Sequence, residues 1–330
     1  MMAQPFRWGL IGCGDLAEKR VAGALQQAPG HTLTALWGRS EERTADFARR
    51  HSIPLAARSL DELWEAGLDA VYVCTPPDSH REYTLAALAR KIPVLVEKPM
   101  ADSVEAAEEM AAAAERERTT LGVAYYRRAF PKMQEVARLI ADGVLGTPVW
   151  ASAVAHSWFA QKPEAPKSWR VEPKTSGGAG ALADIGVHRL DLLDYWFGAL
   201  TLEQAAFTHL VQDYAVEDGS ALALRLPNGA PVQTFFSWNS KTWVDRMELV
   251  GSEGKILMEP LDSPGLTVIR GRDREEREIA APANAHLPCV EDFVRACREG
   301  SAPLCDAAAG LRTSRLLEQC VRLGSLSSPV

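Results

Sequence analysis

The chain has 330 residues, 47% of them hydrophobic and 24% charged, with a formal net charge of -7. That length exceeds what one core usually organises and predicts two domains. The acidic balance argues against nucleic acid or an anionic membrane surface as the main partner, while leaving room for a local basic site around an anionic cofactor. Six cysteines without a C-x-x-C pair, no basic-then-apolar leader and no apolar run of membrane-spanning length predict a reduced, soluble, cytoplasmic chain.

In chain order, Phe6–Ile11 reads as a buried strand, residues 16–27 as a helix, residues 32–37 as a second strand and Glu41–Arg50 as a second helix. Short apolar strands follow at residues 70–74, Val94–Val96 and 120–123, with helices at residues 79–90 and Val104–Glu117 between them. Strict alternation of this kind predicts an α/β fold: a doubly wound parallel sheet of the Rossmann type over residues 1–125. Beyond that the rhythm changes. A helix at 132–142, a strand at 147–155, a glycine-rich turn with a helix at 182–197, and a run of strands between 202 and 269 predict a second α/β domain over residues 126–330. Its sheet is expected to be large, open and mostly antiparallel, and two helices, at 289–299 and 307–323, close the chain.

The stretch GLIGCGDLA puts Gly12, Gly14 and Ala17 in a G-x-G-x-x-A pattern between the first strand and helix. Glycines there let the backbone turn beneath a pyrophosphate, and the helix start at Asp15 and Leu16 offers free N–H groups to it. The end of the second strand discriminates between dinucleotides. Where an NAD site holds an acid for the ribose hydroxyl, this chain has Gly38, followed by Arg39 and Ser40, with Arg43 one turn on. Loss of the carboxylate and gain of guanidinium donors favour NADP, with NAD as the alternative. An ordinary surface turn with a serine cap is the competing explanation.

Two further segments carry chemistry. AVYVCTPPDSH ends a strand in Thr75, Pro76 and Pro77, a rigid turn suited to a nicotinamide wall, with His80 following. VLVEKP brings Glu97 and Lys98 to the carboxyl end of another strand, where the cofactor of a doubly wound sheet lies; a lysine merely paired with a nearby acid is the other reading. In GGAGALADIGVHRLDLLDYWFG, Asp184, His188 and Asp191 share one helix face. That face fits an acid/base pair, in which a carboxylate fixes the imidazole; a solvated face is also compatible, and a metal is disfavoured because one histidine and two acids lack a further ligand motif. Gly186, inside that helix, predicts close approach by a cofactor or by backbone.

The succession GLIGCGDLA, VCTPPDSH, VLVEKPMA and SGGAGALADIGVHRLD resembles the Gfo/Idh/MocA oxidoreductases, and the likeness continues through Ser168-Trp169-Arg170 and Gly251–Gly254. The resemblance implies hydride transfer between a nicotinamide and a hydroxyl-bearing carbon of a sugar or polyol. It implies Lys98, Asp184 and His188 as catalytic residues and no metal. The implied cofactor-binding set is Gly12, Gly14, Asp15, Leu16, Gly38, Arg39, Ser40, Arg43, Thr75, Pro76, Pro77, His80, Glu97, Lys98, Trp169 and Arg170. A homodimer or homotetramer formed through the second sheet is also implied. Two alternatives share the fold: a cofactor-sensing regulator without catalysis, and an enzyme that retains NAD while acting on glycosides.

Overall fold

The computed structural model describes residues 4–160, 168–176 and 178–326. The described residues fall into two compact units, one within residues 1–129 and 282–311, the other within residues 130–281 and 312–330.

The first unit is built on a six-stranded parallel sheet of order β3-β2-β1-β4-β5-β6. Its strands are β1 Phe6–Ile11, β2 His31–Trp37, β3 Leu55–Ala56, β4 Ala70–Val73, β5 Val94–Val96 and β6 Leu121–Val123. All four residues of β4 and all three of β5 are buried, as expected of strands covered by helices on both faces. β3 is two residues long, too short to leave a pattern in sequence. Chain order reverses between β1 and β4, which pair from Trp8–Ala70 to Ile11–Val73, so the switch point lies beyond Ile11 and Val73.

A single cut near residue 125 does not describe this unit, because a later segment returns to it. Val123 donates to the carbonyl of Cys305 and Gly122 bridges Asp306. Phe293, on the helix Leu287–Glu299, packs at a tilt against Trp8 in the core of the parallel sheet. The apolar face of that helix completes one side of the sheet, a long-range pairing that local periodicity does not reveal.

The second unit holds an eight-stranded sheet of order β14-β13-β12-β11-β7-β10-β9-β8. These strands are β7 Pro148–Trp158, β8 Thr201–Thr208, β9 Gly219–Arg225, β10 Pro231–Ser237, β11 Asn239–Gly251, β12 Gly254–Met258, β13 Gly265–Arg270 and β14 Asp273–Glu278. Every neighbouring pair is antiparallel except β7 and β10. The expected helix at 182–197 is present in two parts: a widened π-type turn at Leu182–Gly186 and a regular helix at Val187–Phe197. Among the described residues, no helix is long and apolar enough to cross a membrane.

Candidate active site

At the end of β1 the chain enters the glycine turn. Gly12 adopts φ +106°, and a Cβ there would stand 2.6 Å from the carbonyl oxygen of Cys74, so the fold itself requires glycine. Gly14 differs. It has no left-handed backbone, and a Cβ built on it would have nothing within 4 Å. No neighbour in the protein explains the missing side chain, whereas a phosphate lying on the helix start that follows would. Asp15 is exposed and pairs with Lys19 at 2.7 Å, one turn into that helix. Leu16 is half-buried against the core cluster of the parallel sheet.

Beyond β2, a Cβ on Gly38 would lie 2.8 Å from Thr44 Oγ1 and 3.0 Å from Cys13 Sγ. A side chain at this position would have to displace the Thr44 hydroxyl and the Cys13 thiol. Ser40 caps the next helix, accepting a hydrogen bond from the Arg43 amide at 3.3 Å. Arg39 and Arg43 are exposed and, among the described residues, form no ion pair.

Past β4, the Ser79 hydroxyl donates to the carbonyl of Pro76 and contacts Thr75 Oγ1, both at 2.9 Å, which closes the Thr75–Pro77 turn. His80, expected beside a cofactor, is instead fully buried. Its Nε2 lies 2.8 Å from the carbonyl oxygen of Thr75, and its Nδ1 lies 3.1 Å from that of Pro99 and 3.3 Å from that of Met100. Burial pushes its pKa down, against the opposing pull of those carbonyls and Glu97. The ring ties the proline turn to the segment after Lys98.

Glu97, expected among the cofactor contacts, also faces inward. Its Oε1 accepts from the Tyr72 hydroxyl at 2.7 Å and its Oε2 from the Lys98 amide at 3.1 Å. The His286 ring stands 3.3 Å away, near enough for charge interaction but outside hydrogen-bond alignment. Burial drives this carboxyl upward, yet His286, Tyr72 and the Lys98 charge outweigh it and hold the group below its ordinary range. Lys98 itself is half-buried, and the Lys98–Pro99 peptide is cis. Tyr72 and His286 had no distinguishing signal in sequence, since one sits inside a strand and the other far along the chain.

In the second unit, Asp184 and His188 occupy the widened turn and the first turn of the helix after it. Asp184 is partly exposed and lies 3.5 Å from the Arg170 guanidinium, while His188 is buried. Asp191 is buried, and the Thr313 hydroxyl approaches it at 3.5 Å. The close packing expected at Gly186 comes from a side chain: a Cβ there would meet the Phe236 ring at 2.5 Å. The Trp169 side chain lies outside the described residues. Of the aromatic residues, Tyr125 and Trp238 are buried, whereas Trp158 and Trp243 are exposed. Glu217, which sequence reading passed over, takes up amides at the start of the Asp184 helix.

Residues 6–125 match the model of an oxidoreductase family with an NAD-binding Rossmann fold, GFO_IDH_MocA, and residues 133–257 match the GFO/IDH/MocA C-terminal domain. The chain is 31% identical over 293 residues to the 1,5-anhydro-D-fructose reductase of Ensifer adhaerens, covering 87% of this chain and 86% of that one. A 3-ketoreductase from Actinomadura kijaniata, solved in complex with NADP and TDP-benzene, superposes with a TM-score of 0.83 at 26% identity, covering 97% and 98% of the two chains. The fold alone is shared with aldose-aldose oxidoreductase from Caulobacter crescentus, at a TM-score of 0.88, 24% identity and 99% coverage of both chains. With a glycine turn built for a dinucleotide and both family domains matched, this chain belongs to the GFO/IDH/MocA oxidoreductases.

Proposed function

We propose that the protein transfers a hydride between NADP and a hydroxyl-bearing carbon of a sugar or polyol, with Lys98, Asp184 and His188 as its catalytic residues. The observation that carries the cofactor half of this reading is Gly14, whose absent side chain leaves open space above a helix start at the switch point of the sheet. NADP is favoured over NAD because Gly38 carries no carboxylate and two exposed guanidinium groups, on Arg39 and Arg43, follow it. A 2′-phosphate would be held by those groups and by the Ser40 hydroxyl. The relative named as a 1,5-anhydro-D-fructose reductase supports a sugar ketone as the first substrate to try.

When bound, the nicotinamide supplies or accepts the hydride. Lys98 would hold the substrate oxygen and stabilise negative charge on it. His188 would deliver the proton during reduction and take it during oxidation. Asp184 would orient and support the imidazole, with the Arg170 guanidinium 3.5 Å from its carboxylate. The eight-stranded sheet of the second unit would serve substrate binding and self-association as a homodimer or homotetramer.

The test is NADPH consumption with 1,5-anhydro-D-fructose and a panel of ketoses and aldoses, comparing wild type with Lys98→Met. The variant is expected to lose turnover by roughly 100-fold or more while its NADPH affinity stays within about twofold. Equal turnover in the variant removes Lys98 from the chemistry. Tight NADPH binding with no turnover on any sugar points to the sensing role, and a bound dinucleotide that never exchanges points to the retained-cofactor reading.

A further inference from the structure

We propose that Glu217 is a positioning residue for the proton-transfer end of the reaction, holding the start of the helix that carries Asp184 and His188. The proposal rests on the catalytic reading of those two residues given above. The first N–H groups of any helix lack partners within it, and a carboxylate there is favoured by the helix dipole. Here the carboxylate arrives from the entry to β9, far along the chain. Glu217 Oε2 accepts from the Gly180 amide at 2.6 Å and Oε1 from the Leu182 amide at 2.8 Å. Its main-chain oxygen takes the intervening Ala181 amide at 3.4 Å. One residue therefore engages three successive amides at the helix start.

The fit is close at the backbone as well. A Cβ on Gly180 would overlap the Glu217 carbonyl oxygen and stand 2.7 Å from Val216 Cγ2 and 3.0 Å from Trp238 Cζ3. Only glycine allows that approach. Asp184 begins two residues after the last engaged amide, and its own N–H donates to the Gly180 carbonyl at 3.1 Å. The neighbouring Asp218 points elsewhere: its Oδ2 accepts from the amides of Leu210, Val211 and Gln212, and its Oδ1 from the Thr208 hydroxyl. Displacing the first turn would re-aim Asp184 and His188 together, and displacements of about 1 Å at such groups cost on the order of 100-fold in rate.

Glu217 is also poised to respond to pH. Burial pushes its carboxyl up to about 7, against the pull of the Leu182 and Gly180 amides, and the adjacent Asp218 adds to the rise. The other titratable group beside it is the Cys320 thiol, which burial pushes up to about 12 and so leaves neutral. Ionised, Glu217 presents an acceptor to each amide. Protonated, it turns an O–H toward one of them.

The experiment compares wild type with Glu217→Gln, Glu217→Ala and Asp184→Asn, using NADPH and 1,5-anhydro-D-fructose, with amide hydrogen exchange followed over residues 180–188. Glu217→Ala is expected to lower kcat by about 10- to 100-fold with little change in NADPH affinity, and to speed exchange at Gly180 and Leu182. Wild type is expected to lose kcat as the pH falls through about 7, and Glu217→Gln is expected to lose less activity than the Ala variant and to remove that decline. Wild-type kcat and an unchanged pH profile in Glu217→Gln, or unchanged exchange at Gly180 and Leu182, would overturn the proposal. The exchange measurement needs no turnover, so it decides on the Gln variant if Ala fails to fold. Wild-type activity in Asp184→Asn would instead overturn the catalytic reading, a result distinct from any that concerns Glu217.

Discussion

The Tyr72 hydroxyl stands 2.7 Å from Glu97 Oε1, and both side chains are buried, Tyr72 on the strand paired with the one that leads to Lys98. The carboxylate's second oxygen holds the Lys98 amide, so one buried acid links a core tyrosine to the backbone of the proposed catalytic lysine. Removing the hydroxyl in Tyr72→Phe leaves a buried charge short of a donor. Stability should fall by about 1.5–3 kcal/mol, read from urea denaturation, and kcat should fall with it if Lys98 is displaced. Unchanged values of both would show that Tyr72 contributes only packing.

The two glycines of the cofactor turn should separate fold from binding. Gly12→Ala meets a forbidden φ and the Cys74 carbonyl, and should lower the melting temperature by several degrees. Gly14→Val adds its Cβ where no described atom lies within 4 Å and should leave melting nearly unchanged, yet weaken NADPH binding by roughly tenfold or more, about 1.4 kcal/mol. A Gly14→Val protein with wild-type affinity would place the phosphates elsewhere.

Cofactor choice should reside in Arg39 and Arg43. The double substitution to Ala should raise the Kd for NADPH by about 10- to 100-fold, in line with two lost charge-assisted hydrogen bonds, and leave that for NADH within a few-fold. Parallel titrations with both dinucleotides measure this. Equal losses for both would return Arg39 and Arg43 to an ordinary surface turn.

Lys132 offers a test of pH-dependent stability away from the site. Its ammonium donates to the carbonyls of Pro260, Ser263 and Gly265 at 3.3, 2.5 and 3.2 Å. Burial pushes its pKa down to about 8, against the weaker pull of Asp262 and Asp245. Between that value and the ordinary 10.5, the unfolded chain holds the proton more tightly than the folded one, so this residue's contribution to stability rises with pH across the window. Urea midpoints of wild type measured from pH 7.5 to 10 should gain relative to those of Lys132→Met. A constant difference would show that the ammonium titrates normally.

The alternation of short apolar strands with helices made the parallel sheet legible, and GLIGCGDLA marked the glycine turn after its first strand, because both signals are local: burial on two faces forces apolar runs, and a tight turn forces glycine. Lys98, Asp184 and His188 were likewise visible as residue types at the ends of elements. Tertiary structure decided what lies behind them. The inward turn of Glu97 onto Tyr72 and His286, the burial of His80, the Phe236 ring against Gly186, and the grip of Glu217 on the Asp184 helix all join residues distant in the chain. So does the return of residues 282–311 to the first unit. Hydrogen bonding and close packing act through space, and a residue's type and its neighbours in sequence carry no record of which distant partner will satisfy it.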